Sequence, residues 1–145
     1  MSSQRARPAA IDFAAELSFR GKGGVGLACG FRHPAAFCAL QAEVRADGSL
    51  WCAIVSHGSA HPTIAETVRP AAAVPAPAAD GQLHLPLSLR IRDRDVEAKV
   101  GDIALQGRLE DALPVGFLGF LCWNNGDSAF RPVFTAPQVV AEPWR

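Results

Sequence analysis

The sequence has no excess of charge of either sign, since its 14 Lys and Arg residues balance its 14 Asp and Glu residues. A general nucleic-acid binder needs a basic surplus or a basic patch, so the balance predicts that nucleic acid is not a partner. No apolar run approaches the roughly 20 residues of a membrane-spanning helix. The N-terminus, MSSQRARPAAIDF, also lacks the apolar core of a signal peptide. These absences predict a cytoplasmic protein without a membrane partner.

Cysteine is scarce, and the sequence has no Cys-x-x-Cys pair. The four cysteines, Cys29, Cys38, Cys52 and Cys122, each lie inside an apolar run. Two disulfides are compatible with that number, but no export signal accompanies them. We therefore expect reduced, mostly buried thiols that pack as small apolar groups.

Two motifs that could bind a metal or a phosphate are incomplete. His57 and His61 are four residues apart, but no acidic third ligand accompanies them, so they are interpreted as loop histidines rather than a zinc site. The stretch GKGGVG, residues 21–26, lacks the Gly-Lys-Ser/Thr ending of a phosphate-binding loop and is interpreted as a turn. The sequence thus predicts no metal and no cofactor.

Acidic residues alternate at Asp93, Asp95 and Glu97, which would place them on one face of a continuous strand. Paired carboxylates can act as acid and base in glycoside hydrolysis. Asp93-Arg94, however, has the character of a hairpin turn, and basic residues would flank the acids across it. Cross-strand charge pairs on a solvated face are the ordinary interpretation. No catalytic signature is present, and whether the chain is an enzyme stays open.

Short runs of alternating apolar and polar residues fill most of the sequence. Clear examples are Phe13–Arg20 and Leu83–Arg92, and turn signals at Asp47-Gly48 and Gly101-Asp102 separate neighbouring runs. Pro70–Asp80 contains three prolines among alanines and is predicted to be a long connection. No amphipathic helix of convincing length is present.

The segment Leu113–Phe134 closes the pattern with a strand, an Asn-Asn-Gly turn and a second strand. Its first strand is apolar at nearly every position, which predicts burial on both sides. Roughly ten short strands, with turns about every eight to twelve residues, are typical of a sandwich or jelly roll. We predict an all-β, two-sheet antiparallel jelly-roll sandwich. The length suits one domain over residues 12–145 behind a flexible tail over residues 1–11.

The order of these motifs resembles the concanavalin A-like jelly-roll superfamily. The similarity rests on GLACGFRHP, FCALQAEVRADGSLWCAIV, LHLPLSLRIRDRDVEAKVGD and LPVGFLGFLCWNNGDSAFRPV. It is closest to laminin-G-like and glucanase-like bacterial domains, including relatives of 3-keto-disaccharide hydrolases. The resemblance implies the fold and a carbohydrate ligand.

The chain departs from the family pattern at two places that bear on function. Leu83-His84 stands where the family often has Trp-His, and Phe130–Val133 stands where it has Phe-Asp-Asp-Val. The acidic residues that support a calcium or sugar site in relatives are therefore missing. The resemblance implies no mechanism.

Residue parity gives one candidate site. A three-residue loop with Gly48 in a bulge pairs Val44 with Leu50, and hence Glu43 with Trp51, which places Trp51 on the solvated face. A strict two-residue turn would instead pair Trp51 with Val44 and place Trp51 on the core side. We prefer the bulged register because it matches apolar with apolar residues. Trp51 then lies on the solvated face beside three polar residues, and two arginines of a later strand are added to the predicted ligand-binding set: Trp51, Gln41, Glu43, Arg45, Arg90 and Arg92.

Three functions remain in competition. The first is a ligand-binding module for a carbohydrate or related hydroxyl-rich molecule, since an indole ring stacks well on a sugar; the absence of tyrosine counts slightly against it. The second is a protein-interaction or assembly subunit, such as a homodimer. The third is a small cytoplasmic enzyme that acts on an apolar or glycosylated metabolite, with Glu43 or His84 as general base. Trp123, beside an Asn-Asn turn, is expected to be structural.

Overall fold

The structure, a computed structural model, describes residues 10–33, 36–110, 117–124, 126–127 and 129–142. Its strands are β1 (Ala10–Phe19), β2 (Gly23–His33), β3 (Ala36–Val44), β4 (Leu50–His57), β5 (Thr63–Arg69), β6 (Leu83–Arg92), β7 (Asp95–Val100), β8 (Ile103–Arg108), β9 (Phe117–Asn124) and β10 (Val133–Glu142). A single 3-10 turn, Ala71–Ala73, interrupts the described part of the long proline-rich connection.

The strands form two five-stranded antiparallel sheets. The first has the order β10-β1-β6-β7-β8, and the second has the order β5-β4-β3-β2-β9. This arrangement confirms the predicted two-sheet jelly-roll sandwich. β1 already begins at Ala10, while residues 1–9 of the expected tail lie outside the described residues.

The core lies between the two sheets because one side of each central strand is apolar. β6 shows the pattern most clearly, since every second side chain from Leu83 to Ile91 is buried. Each large apolar side chain removed from water in this way contributes about 1.5–3 kcal/mol before entropy is counted. The faces that point away from the core carry the polar side chains on which function depends.

The β3–β4 hairpin has the bulged register expected from the sequence. Val44 pairs with Leu50, Ala42 pairs with Cys52, and Glu43 pairs with Trp51. Gly48 has φ +86°, a backbone conformation that favours glycine, and its N–H donates to the Arg45 carbonyl at 2.8 Å. The turn therefore fixes which side chains point outward.

The closing segment differs from the prediction of a strand buried on both sides. β9 lies at the edge of the second sheet, where among the described residues it pairs with β2 alone, and Phe120 and Cys122 are exposed. β10 belongs to the other sheet. The Phe120 and Phe134 rings stack between the two sheets with centroids 4.2 Å apart. A continuous apolar run fits either a central or an edge strand, and the prediction chose the wrong one.

The four cysteines are free, and three of them are buried. Burial raises the pKa of Cys29 and of Cys38 to about 12 and that of Cys52 to about 11. Cys122 is the exposed exception because it lies on edge strand β9. In the part of the chain that the structure describes, no helix is long and apolar enough to cross a membrane.

Candidate functional site

One row of residues crosses the outer face of the second sheet from edge to edge. Its members, one from each strand, are Val68, Trp51, Glu43, Gly24 and Trp123. We call this row, together with Gln41, Arg45 and Glu66 beside it, the tryptophan face. It brings together four of the six predicted ligand-binding side chains, those that parity placed together: Trp51, Gln41, Glu43 and Arg45.

Trp123 lies flat across the backbone of Gly24. A Cβ on Gly24 would overlap the indole ring, so the ring needs the glycine beneath it. The indole Nε1–H donates to Glu43 Oε2 at 2.7 Å, which fixes the orientation of the ring over the sheet. Trp123 is therefore part of the face, although the sequence placed it at a loop rim.

Trp51 lies on the other side of Glu43 from Trp123 and contacts two charged side chains, Glu66 and Arg45. Its Nε1–H donates to Glu66 Oε2 at 2.9 Å. The Arg45 guanidinium carbon lies 5.6 Å from the centroid of the Trp51 ring, and Arg45 Nε lies 3.6 Å from Glu43 Oε1. A cation over an aromatic face at this distance is attracted by the ring. Both indoles thus present an oriented ring beside a carboxylate.

The floor beyond these rings is made of small side chains. Ala39 and Ala53 are fully buried, and Gln41 stands between Gly26 and Ala53 in the next row of the sheet. Gln41 Nε2 lies 3.3 Å from Nε2 of His57, whose ring stacks on another aromatic side chain. Because Ala39 and Ala53 have no exposed surface, neighbouring side chains cover this part of the outer face, where Ala39 packs in a small cluster with Phe37 and Leu121.

Arg90 and Arg92 lie on the other side of the sandwich, so the prediction of one shared site was wrong for them. Their strand, β6, pairs with β1 and β7 in the first sheet. Arg90 Nε and an Arg92 terminal nitrogen lie 2.9 and 3.0 Å from the two carboxylate oxygens of Asp12. Partial burial alone would raise the pKa of Asp12, but hydrogen bonds from the two guanidiniums hold it below its ordinary value.

The structure does not gather a metal site in the residues that it describes, where no three His, Cys, Asp or Glu side chains cluster suitably. Glu43, one of the two predicted general bases, is tied to Trp123 and Arg45. The other, His84, lies on β6 in the first sheet. Trp144 and Asn125 lie outside the described residues.

A comparison with protein-family models and with curated proteins finds no match to this chain. Solved structures share the fold. Carbohydrate-binding module CBM66 from Bacillus subtilis aligns with a TM-score of 0.59 at 14% identity, covering 93% of this chain and 83% of its own. CG-16, a homodimeric agglutinin from chicken liver, gives 0.52 at 10% identity, covering 94% and 96%. Ligand-free congerin I gives 0.53 at 11% identity, covering 95% and 96%.

At these identities the similarities establish the jelly-roll fold alone. The finer relation to laminin-G-like and glucanase-like bacterial domains stays a prediction, since no family model supports it.

Proposed function

We propose that this protein is a carbohydrate-binding module that holds a neutral, hydroxyl-rich ligand on the tryptophan face. The observation that carries the proposal is the row in which Trp51 and Trp123 flank Glu43, each indole hydrogen-bonded to a carboxylate. Sugar rings present apolar faces to aromatic rings and hydroxyl groups to polar side chains, and this row offers both. The existence of a carbohydrate-binding module with the same fold is consistent with it.

Each side chain has a part in the proposed complex. The indoles of Trp51 and Trp123 supply apolar contact area, while their N–H bonds to Glu66 and Glu43 keep the rings from turning. A carboxylate accepts hydrogen bonds at both oxygens, so Glu43 places an acceptor for a ligand hydroxyl beside the Trp123 ring. Gln41 contributes an amide at the edge of the same floor. Charges of both signs in one small area favour a neutral ligand over a polyanion.

Binding of a panel of neutral oligosaccharides, measured by calorimetry, tests this proposal. Trp51→Ala and Trp123→Ala should each reduce affinity by roughly 1–3 kcal/mol, the size of a lost buried aromatic contact. Arg90→Ala is the matched control, because Arg90 lies on the opposite sheet, and its affinity should equal that of the wild type. If Arg90→Ala abolishes binding while the tryptophan variants bind normally, the site lies on the first sheet and the proposal is wrong.

The second candidate function is assembly with a second copy of the chain. It is favoured by an exposed apolar surface on edge strands β9 and β10. Among the side chains that the structure describes, four large apolar ones are exposed on edge strands β9 and β10: Phe120 (43% exposed), Val133 (50%), Val139 (48%) and Val140 (53%). Natural edge strands are usually protected by charge or cover. The β5 and β8 edges have such charge, in the pairs Arg69–Asp102 and Arg108–Asp95.

Sedimentation of the purified protein tests assembly. Val140→Lys should shift a dimer toward monomer, because it would place a charge within the apolar surface. Val68→Lys is the control, since Val68 is equally exposed but lies on β5. A wild-type protein that sediments as a monomer at all accessible concentrations would remove this candidate.

A further inference from the structure

A chain of hydrogen bonds joins two polar side chains on the outer face of the first sheet to a third in the connection before β6. Ser18 and His84 lie directly opposite each other on β1 and β6. Ser18 Oγ is 2.8 Å from His84 Nδ1, and His84 Nε2 is 2.9 Å from Asp80 Oδ2. The order is hydroxyl, imidazole, carboxylate, which is the order that activates a serine nucleophile.

The carboxylate decides which imidazole nitrogen holds the proton. The backbone N–H of Gln82 donates to Asp80 Oδ1 at 2.9 Å and, ahead of the hydrogen bond from His84, keeps the pKa of Asp80 below its ordinary value. An ionised carboxylate can only accept, so Nε2 of a neutral His84 ring must donate to it. The Nδ1 lone pair then faces the Ser18 hydroxyl, ready to receive its proton.

The chain of hydrogen bonds is open to solvent, since the side chains of His84 and Asp80 are each about half exposed. The apolar cleft at this end of the sandwich, about 440 Å³ in volume, lies on the core side of β1 and β6, because its lining includes the buried side chains of Phe19 and Leu83. A substrate therefore reaches Ser18 from the outer face of the first sheet.

A cation lies beside both the cleft and the carboxylate. Arg20, the first residue after β1, lines the cleft and donates to the backbone carbonyl of Asp80 at 2.8 Å. The guanidinium has five N–H donors in total, more than this one bond uses. A guanidinium is a group suited to stabilise negative charge on an oxygen.

We propose that Ser18, His84 and Asp80 hydrolyse small esters that reach Ser18 from the outer face of the first sheet. Ser18 Oγ attacks the ester carbonyl carbon while its proton passes to His84 Nδ1. The tetrahedral oxyanion collapses, the carbon–oxygen bond to the alcohol breaks, and the alcohol leaves with the proton from Nδ1. Water then gives its proton to Nδ1 and attacks the acyl-serine, which releases the acid and regenerates the hydroxyl. Ester and water become acid and alcohol, with no other reactant.

In this reaction Ser18 and His84 are catalytic residues and Asp80 is a positioning residue. The activity is separate from carbohydrate binding, because Ser18 and His84 lie on the first sheet and the tryptophan face lies on the second. Loss of one function therefore leaves the other measurable.

Hydrolysis of p-nitrophenyl butyrate and labelling by diisopropyl fluorophosphate together test the proposal. The fluorophosphate should add its phosphoryl group to Ser18, as identified by peptide mass. Ser18→Ala should abolish labelling and reduce turnover to the level of free imidazole. His84→Ala should lower kcat by roughly 100-fold or more, the contribution of a positioned general base.

Asp80→Asn should lower kcat with little change in KM, since the residue acts only through His84, and Asp80→Glu should restore part of the rate. Ser88→Ala is the control, because Ser88 is a half-buried serine on the same sheet face and should keep wild-type turnover. Three results would each overturn the proposal: no label, a label on another residue, or Ser18→Ala turnover equal to that of the wild type.

Discussion

The indole ring of Trp123 occupies the space that any Cβ on Gly24 would need. The two residues are directly paired on β9 and β2, and the ring reaches over the glycine to hydrogen-bond Glu43 on the next strand. One aromatic side chain thus links three neighbouring strands across the candidate site. This dependence makes the ring position sensitive to a single methyl group.

Gly24→Ala should displace Trp123 and lower the free energy of unfolding by about 1–3 kcal/mol, the usual cost of overpacking. Denaturant unfolding gives the energy, and the emission wavelength of tryptophan reports the changed environment of the ring. Gly119→Ala is the matched control because its Cβ would meet nothing within 4 Å. Equal stability of the two variants would show that the ring can move aside at no cost.

The sequence predicted the β3–β4 side of this site and missed the β9 side, for a physical reason. Glu43 and Trp51 are joined by a short turn, so alternation and the conformational freedom of Gly48 fix their pairing locally. Gly24 and Trp123 come from distant parts of the chain, and no local pattern states which distant strands pair. The one available signal was the run of glycines in residues 21–26, which we interpreted only as a turn, although part of it lies in β2.

Arg90 and Arg92 were misplaced for a related reason. Alternation correctly predicts that they point away from the core, but the sandwich has two outer faces. Which face a strand contributes to depends on sheet order, and β6 joins the first sheet by pairing with β1. The alternation along a strand predicts whether a side chain faces the core or the solvent, whereas the order of the strands decides which of the two sheets the side chain lies on.

Thiol reactivity should divide the cysteines into two groups. One thiol, Cys122, should react with a water-soluble reagent in the native protein, and all four should react after unfolding. The reason is burial, which excludes the reagent from the others and raises the pKa of Cys29 and Cys38 to about 12. Rapid reaction of more than one thiol in native protein would show that the core between the sheets opens readily.

The same thiols predict a loss of stability at alkaline pH. Their pKa values are higher in the folded protein than the ordinary value of 9.0, so between about pH 9 and 12 the unfolded chain releases protons that the folded chain retains. The stabilisation is therefore complete below pH 9 and declines as the pH rises toward 12. Cys38→Ala should show a shallower alkaline decline than wild type in urea unfolding.

Asp12 predicts the opposite dependence at acid pH. Its pKa is lowered in the folded protein below the ordinary 3.8, so its contribution to stability is present above that value and is lost as the pH falls through the folded pKa. Asp12→Asn should be less stable than wild type at neutral pH and equally stable once the carboxyl is protonated. A difference that persists unchanged in strong acid would mean that the hydrogen bonds, rather than the charge, supply the stabilisation.

The charge of Glu43 provides the sharpest test of whether the proposed ligand is neutral. Glu43→Gln keeps an oxygen that can accept from Trp123 Nε1 but removes the attraction to Arg45, which lies 3.6 Å away. A neutral ligand makes ordinary hydrogen bonds to either side chain, so affinity should fall by only a few-fold, since such a bond is worth about 0.5–1.5 kcal/mol. Glu43→Ala should lose more, because the Trp123 ring would lose its acceptor. Calorimetry with the tightest-binding oligosaccharide, repeated at high salt, distinguishes a neutral ligand from a cationic one. A large, salt-dependent loss in Glu43→Gln would instead identify a cationic ligand and contradict the proposal.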